Sequence, residues 1–84
     1  MPEELVGEVT HFYARPMVAA VFVLTGDIQV GDRLRFAGYT TDFDARVESL
    51  QEERQPINLA GPGQSVGVQV PQRARVGDRV FKIT

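Results

Sequence analysis

The sequence predicts an all-β domain, a small barrel or sandwich of about seven short strands. Three observations carry this. No ten-residue stretch shows an i, i+3, i+4, i+7 apolar stripe free of Gly and Pro. Runs rich in Val, Thr and aromatics recur at roughly 8–12-residue spacing, each ended by turn residues. The 84 residues, 43% of them hydrophobic, suffice for one folded domain spanning 1–84 and leave no room for a second.

The elements follow in order. Leu5 to Tyr13 is a first run, broken by Arg15-Pro16. Met17 to Leu24 is continuously apolar and ends at the turn triplet Thr25-Gly26-Asp27. Arg33-Leu34-Arg35-Phe36 alternates strictly, so Leu34 and Phe36 share one face and the arginines the other. Phe43, Ala45 and Val47 alternate with Asp44, Arg46 and Glu48. Leu50 falls on the polar parity of that run, which places a bulge or a strand end near Ser49. Pro56 to Leu59 is a short strand whose Pro suits an edge or entry position. Val66, Val68 and Val70 alternate with Gly67 and Gln69, and in the last strand Phe81 and Ile83 face in while Lys82 faces out. Closure into a barrel would pair the long edge that an open sheet exposes. The inward set is Leu34, Phe36, Phe43, Val47, Ile57, Leu59, Val66, Val68, Val70, Phe81 and Ile83.

Composition removes several function classes. With no Cys and one His, a zinc finger, a disulfide scaffold and a thiol nucleophile are excluded. The formal net charge of −2 argues against strong whole-protein attraction to nucleic acid or anionic lipid. The longest apolar run is far shorter than the ~20 residues of a membrane-spanning helix. The acidic start, Met1-Pro2-Glu3-Glu4, lacks the features of a secretory signal. A cytoplasmic location is expected, with no membrane partner.

Single motifs read as structure rather than chemistry. Val30-Gly31-Asp32-Arg33 and Val76-Gly77-Asp78-Arg79 echo each other, each placing Gly-Asp before a strand. Gly there can take positive φ, and the Asp carboxylate can accept from nearby backbone N–H groups. Neither Asp has the neighbours of a metal site. Gly61-Pro62-Gly63 precedes a strand rather than a helix, so it reads as a turn, not a phosphate cradle. His11 has no partner that would make it a general base. Asp42 and Asp44 share a face with Arg46, which reads as a solvated surface rather than an acid–base pair. No catalytic residue, metal or cofactor is expected.

Taken together, Val30-Gly31-Asp32, Ala60-Gly61-Pro62-Gly63-Gln64-Ser65-Val66-Gly67 and Arg75-Val76-Gly77-Asp78 stand in an order that resembles the second domain of elongation factor Tu and related translation GTPases. The likeness runs from about Val6 to Ile83. The stretches Gln55 to Gln64 and Gly77 to Lys82 are also similar to the C-terminal barrel of the collagenase-like peptidase family, members of which are connected with RNA modification. The resemblance implies a closed six- or seven-stranded Greek-key barrel. These 84 residues hold no G-x-x-x-x-G-K-[ST] loop and only one Lys, so GTPase activity and nucleotide binding do not carry over. The implied function is a non-enzymatic binding module of the translation or RNA-modification machinery, its partner a tRNA, an rRNA or a protein of that machinery. The alternative is a purely protein-binding accessory subunit.

Two surfaces are candidates for that binding. Arg33 and Arg35 point outward from one strand, and Arg73 and Arg75 flank Ala74 in the final loop. If the two pairs lie close they form a patch able to hold phosphates. The second surface is the strand from Val18 to Leu24, where no residue is polar. Val18, Ala20, Phe22 and Leu24 form an apolar row that the chain's own ends or a partner must cover.

Overall fold

Alternation of Val, Thr and aromatics with polar residues yields strands along the whole chain. The computed structural model describes residues 2–84, Met1 of the acidic start lying outside the described residues, and shows ten strands and no helix among them. In chain order these are β1 (Glu3–Ala14), β2 (Met17–Val23), β3 (Ile28–Gln29), β4 (Arg33–Ala37), β5 (Asp42–Arg46), β6 (Leu50–Glu52), β7 (Gln55–Ile57), β8 (Leu59–Ala60), β9 (Ser65–Gln69) and β10 (Arg79–Ile83). Among the described residues no helix is long and apolar enough to cross a membrane.

Ten strands replace the expected six or seven because short pairings appear between the longer runs. Ile28–Gln29 and Leu50–Glu52 form strands of their own, and Pro56 to Leu59 divides at Asn58 into β7 and β8. The expected break near Ser49 lies between β5, ending at Arg46, and β6, beginning at Leu50. Strand β1 reaches twelve residues by shifting register twice, between Leu5 and Gly7 and between Val9 and His11. Such bulges bend a strand and tighten its twist. Gly7 sits where β1 passes between β10 and β2, and a Cβ there would collide with the Phe22 carbonyl.

Eight strands form one antiparallel sheet in the order β5-β4-β10-β1-β2-β9-β6-β7, and β3 pairs with β8 in a separate ribbon. No ladder joins β5 to β7, so the sheet is not closed by strand pairing as the barrel reading expects. The ribbon bridges part of the gap: Val30 N–H donates to Asn58 O, Gly31 N–H to Val47 O and Val47 N–H to Asp32 O.

One core fills the curved sheet, with Phe36, Ile28, Leu34 and Leu50 its largest fully buried members. Phe36 stacks on Phe43 with ring centroids 5.0 Å apart. Most of the expected inward set is there, with three corrections. Leu59 is 56% exposed, because the break at Asn58 turns Ala60 inward against Ile28 instead. In β10 the parity is the reverse of the expected one. Val80 lies opposite Phe36 and Lys82 opposite Leu34, on the core side, while Phe81 and Ile83 are half-buried on the other face. Lys82 can face inward because it lies at the end of the core, where its Nζ is 2.7 Å from Asp27 Oδ1 and 3.2 Å from Asp32 Oδ2. That clasp ties β10 to the segment flanking β3.

Both Gly-Asp turns are built as their sequence suggests. Gly31 and Gly77 have φ of 98° and 94°. Asp32 Oδ2 accepts from Gln29 N–H at 2.9 Å, and Asp78 Oδ2 from Arg75 N–H at 2.7 Å.

Candidate functional site

The outer face of β2 is the apolar surface that the sequence pointed to, and it is concave. Because successive strand residues alternate between faces, burying Ala19, Val21 and Val23 turns Val18, Ala20 and Phe22 outward. They stay half-buried there, since strands flank them on both sides. Tyr13 and Gln69 lie beside Val18, His11 and Gly67 beside Ala20, Glu8 and Ser65 beside Phe22. Gly67 has no side chain to cover Ala20, and a Cβ there would press on Val18 at 3.2 Å. The result is a groove of about 500 Å³ with Val18, Ala20 and Gly67 in its floor.

Its walls are Tyr13, Arg15 and Pro16 on one side and the β6–β7 hairpin on the other. The Tyr13 ring leans on His11, centroids 4.5 Å apart, so the lone histidine is a packing partner of the groove wall. The hairpin turns through Glu53 and Arg54, which take φ of 50° and 66°. Two left-handed residues match a type I′ turn, a role usually filled by Asn-Gly. Arg15 and Arg54 against Glu53 leave the rim with a surplus positive charge. Leu24 is not part of this surface. It lies beyond the end of β2, 45% exposed, and donates its N–H to Val6 O.

The four arginines do not form one patch. Arg33 lies opposite Ile83, which in turn lies opposite Glu3 at the start of β1. Arg73 sits with its guanidinium 5.8 Å from the ring centre of Phe12, nine residues along the same strand. At ~3.3 Å per residue the two are separated by roughly 25–30 Å of strand. Arg33 and Arg35 are also engaged. Arg35 donates to Asp42 at 3.0 Å and to Glu3 at 3.2 Å, and these bonds, Asp42 first, raise its pKa above the ordinary value. Arg33 lies 3.8 Å from Asp44.

Gly61-Pro62-Gly63 forms a turn before β9, with Gln64 N–H donating to Gly61 O. Among the described residues no group of three or more His, Cys, Asp or Glu could hold a metal ion. The groove-wall hairpin and the Lys82 clasp were missed by sequence reasoning. For the hairpin the only available signal was Glu-Glu-Arg-Gln between two β-forming segments.

Comparison with known proteins places this fold. No protein-family profile matches the chain. The chain is 34% identical over 77 residues to an uncharacterized protease of Methanocaldococcus jannaschii, covering 90% of this chain and 19% of that protein. It is 27% identical over 78 residues to a collagenase of Porphyromonas gingivalis, covering 92% and 22%. It therefore spans about a fifth of the length of the curated relatives it matches. The crystal structure of the C-terminal domain of a Geobacillus thermoleovorans protein assigned to the U32 peptidases superposes with a TM-score of 0.88 at 21% identity, covering 96% of this chain and 93% of that one. A selenomethionine variant of that domain gives 0.85. The resemblance to collagenase-like peptidases is thus supported, whereas the resemblance to elongation factor Tu finds no support in these relatives.

Proposed function

We propose that this chain is a non-catalytic docking domain that works beside a collagenase-like peptidase region and binds protein through the groove on the outer face of β2. The observation that carries the reading is the apolar floor of Val18, Ala20 and Gly67 between polar walls. A central strand of an antiparallel sheet normally shows polar residues on its solvent face. The relatives' names supply the context, because the matched segment is a small part of proteins called protease and collagenase. The separately crystallised Geobacillus domain supports treating the segment as a folding unit. The proposal also takes the fold as a barrel of the kind seen in second domains of translation factors, with the β3–β8 ribbon bridging part of its wall.

Docking on tRNA or rRNA through Arg33, Arg35, Arg73 and Arg75 is the competing outcome, and the separation of these residues weighs against it. The test uses the Methanocaldococcus relative with its matched segment deleted, mixed with this chain and followed by sedimentation velocity. Binding is expected, with Ala20→Arg weakening it at least tenfold and changing the four arginines to Ala leaving it unchanged. Equal binding by Ala20→Arg overturns the groove reading. Binding that needs RNA and falls steeply with salt assigns the function to the arginines instead.

A further inference from the structure

A second opening lies at the sheet edge formed by β5. The register with β4 decides which backbone groups are free there. Gly38 N–H bonds to Thr41 O, and Val47 N–H to Asp32 O, so the hydrogen-bonded pairs of this ladder fall at Phe43 and Ala45. The N–H and C=O groups of Asp42, Asp44 and Arg46 therefore point away from β4. None has a backbone partner among the described residues. The opposite edge, β7, is blunted against pairing. In its two-residue hairpin Gln55 and Ile57 bond back to β6, and the outward position is Pro56, which has no N–H.

Beside the free edge of β5 runs a cleft of about 450 Å³, with Ala45 on one wall and Met17, Val70 and Pro71 on the other. The core is least sealed along β5 and at Val70. Phe43, Ala45 and Val70 keep 6%, 7% and 6% exposure, whereas every other apolar core residue keeps 2% or less. An unpaired strand edge, an apolar cleft along it and core residues that are slightly less covered there together describe a missing strand.

We infer that β5 accepts an extended segment of a partner polypeptide as an added antiparallel strand. Side chains facing Phe43 and Ala45 would be apolar, because both residues lie on the core face of β5 and Ala45 lines the cleft. Those facing Asp42 and Asp44 would be basic, and the one facing Arg46 acidic. A second copy of this chain fits worse. Pairing β5 with itself about Asp44 makes two Asp42–Arg46 pairs but sets Asp44 against its own copy. Pairing about Ala45 makes two Asp44–Arg46 pairs but sets Asp42 against Glu48 twice, whereas a basic-basic-acidic segment pairs favourably at all three positions.

The probe is the peptide acetyl-EVKVK-amide, which presents Glu to Arg46 and Lys to Asp44 and Asp42 in the antiparallel register. Its controls are acetyl-KVEVE-amide and a form N-methylated on the three amides that would bond to β5, those of Glu and the two Lys. Titration into the isotope-labelled protein, followed by amide NMR, should shift and protect the N–H groups of Asp42, Asp44 and Arg46. The charge-swapped peptide should bind about tenfold more weakly, as three reversed cross-strand pairs imply, and the N-methylated form not at all. Asp44→Lys, an exposed change, should narrow or reverse that preference. Unmoved β5 amides, equal binding of both peptides, or protection of these amides by rising protein concentration alone would each overturn the inference. Shifts confined to Val18, Ala20 and Gly67 would do so too while leaving the groove proposal standing, since its test does not involve β5.

Discussion

At the scale of single residues the clearest energetic commitment is Lys82, the only lysine of the chain. Its side chain is 20% exposed and meets two carboxylates, and the hydrogen bond it donates to Asp27 raises its pKa despite burial, which acts the other way. A lysine whose pKa is higher folded than unfolded stabilises the fold fully below its unfolded pKa of ~10.4 and loses that contribution as pH rises through the folded value. Lys82→Met should therefore cost about 1–3 kcal/mol, the usual range for a charge-assisted bond left unmade. The cost should be constant from pH 7 to 9 and shrink above pH 10.5. Urea melts of both proteins across that range check it, and a cost that disappears below pH 9 would place the stabilisation elsewhere. Strict alternation could not reveal this residue, because a charged side chain reads as outward until the carboxylates that meet it are known. Asp32 and Asp78, by contrast, were legible, since their bonds are to backbone three residues away.

Elements differ in the same manner. Strands β2, β4, β5 and β9 were readable because their own residues alternate or run apolar for long enough to specify a face. Strands β3 and β6 were not, and Pro56 to Leu59 read as one strand rather than as β7 and β8, because these short strands exist only through partners distant in sequence: Ile28 with Ala60, Leu50 with Ile57 and Val68. The groove was half legible. Its floor followed from the unbroken apolar run of β2, while its far wall depends on the turn at Glu53 and Arg54. That turn is also a local cost, since non-glycine residues in the left-handed region are disfavoured by about 1–2 kcal/mol each. Replacing the pair with Asn-Gly should raise stability by roughly 1 kcal/mol, seen as a higher urea midpoint at unchanged slope. If the same variant also weakens protein binding, the strain at Glu53 and Arg54 serves the groove. An unchanged or lower midpoint would show that the wild-type side chains compensate for the turn.

For the whole molecule, the decisive property is that one sheet carries the core yet fails to close by strand pairing. Stability should then grade across the sheet rather than be uniform. Strands β10, β1 and β2 are paired on both sides and meet at Gly7, and the β9–β10 loop is pinned to β1 by Val9 N–H to Asp78 O and Gly77 N–H to Val9 O. Opening them exposes the core, so their amides should exchange with solvent only through global unfolding. Toward the free edge the expectation becomes residue-specific. On β5 the inward-bonded amides of Phe43 and Ala45 should be protected, and those of Asp42, Asp44 and Arg46 should exchange nearly as fast as an unfolded peptide. Hydrogen exchange resolved by NMR on dilute protein reads this alternation directly. An Asp44 amide as slow as that of Ala45 would mean that the edge is already covered in solution, and the open seam would then not describe the free domain. Sharp alternation on β5 beside uniform protection on β1 would instead place the weakest point of the molecule at the one edge that no proline blunts.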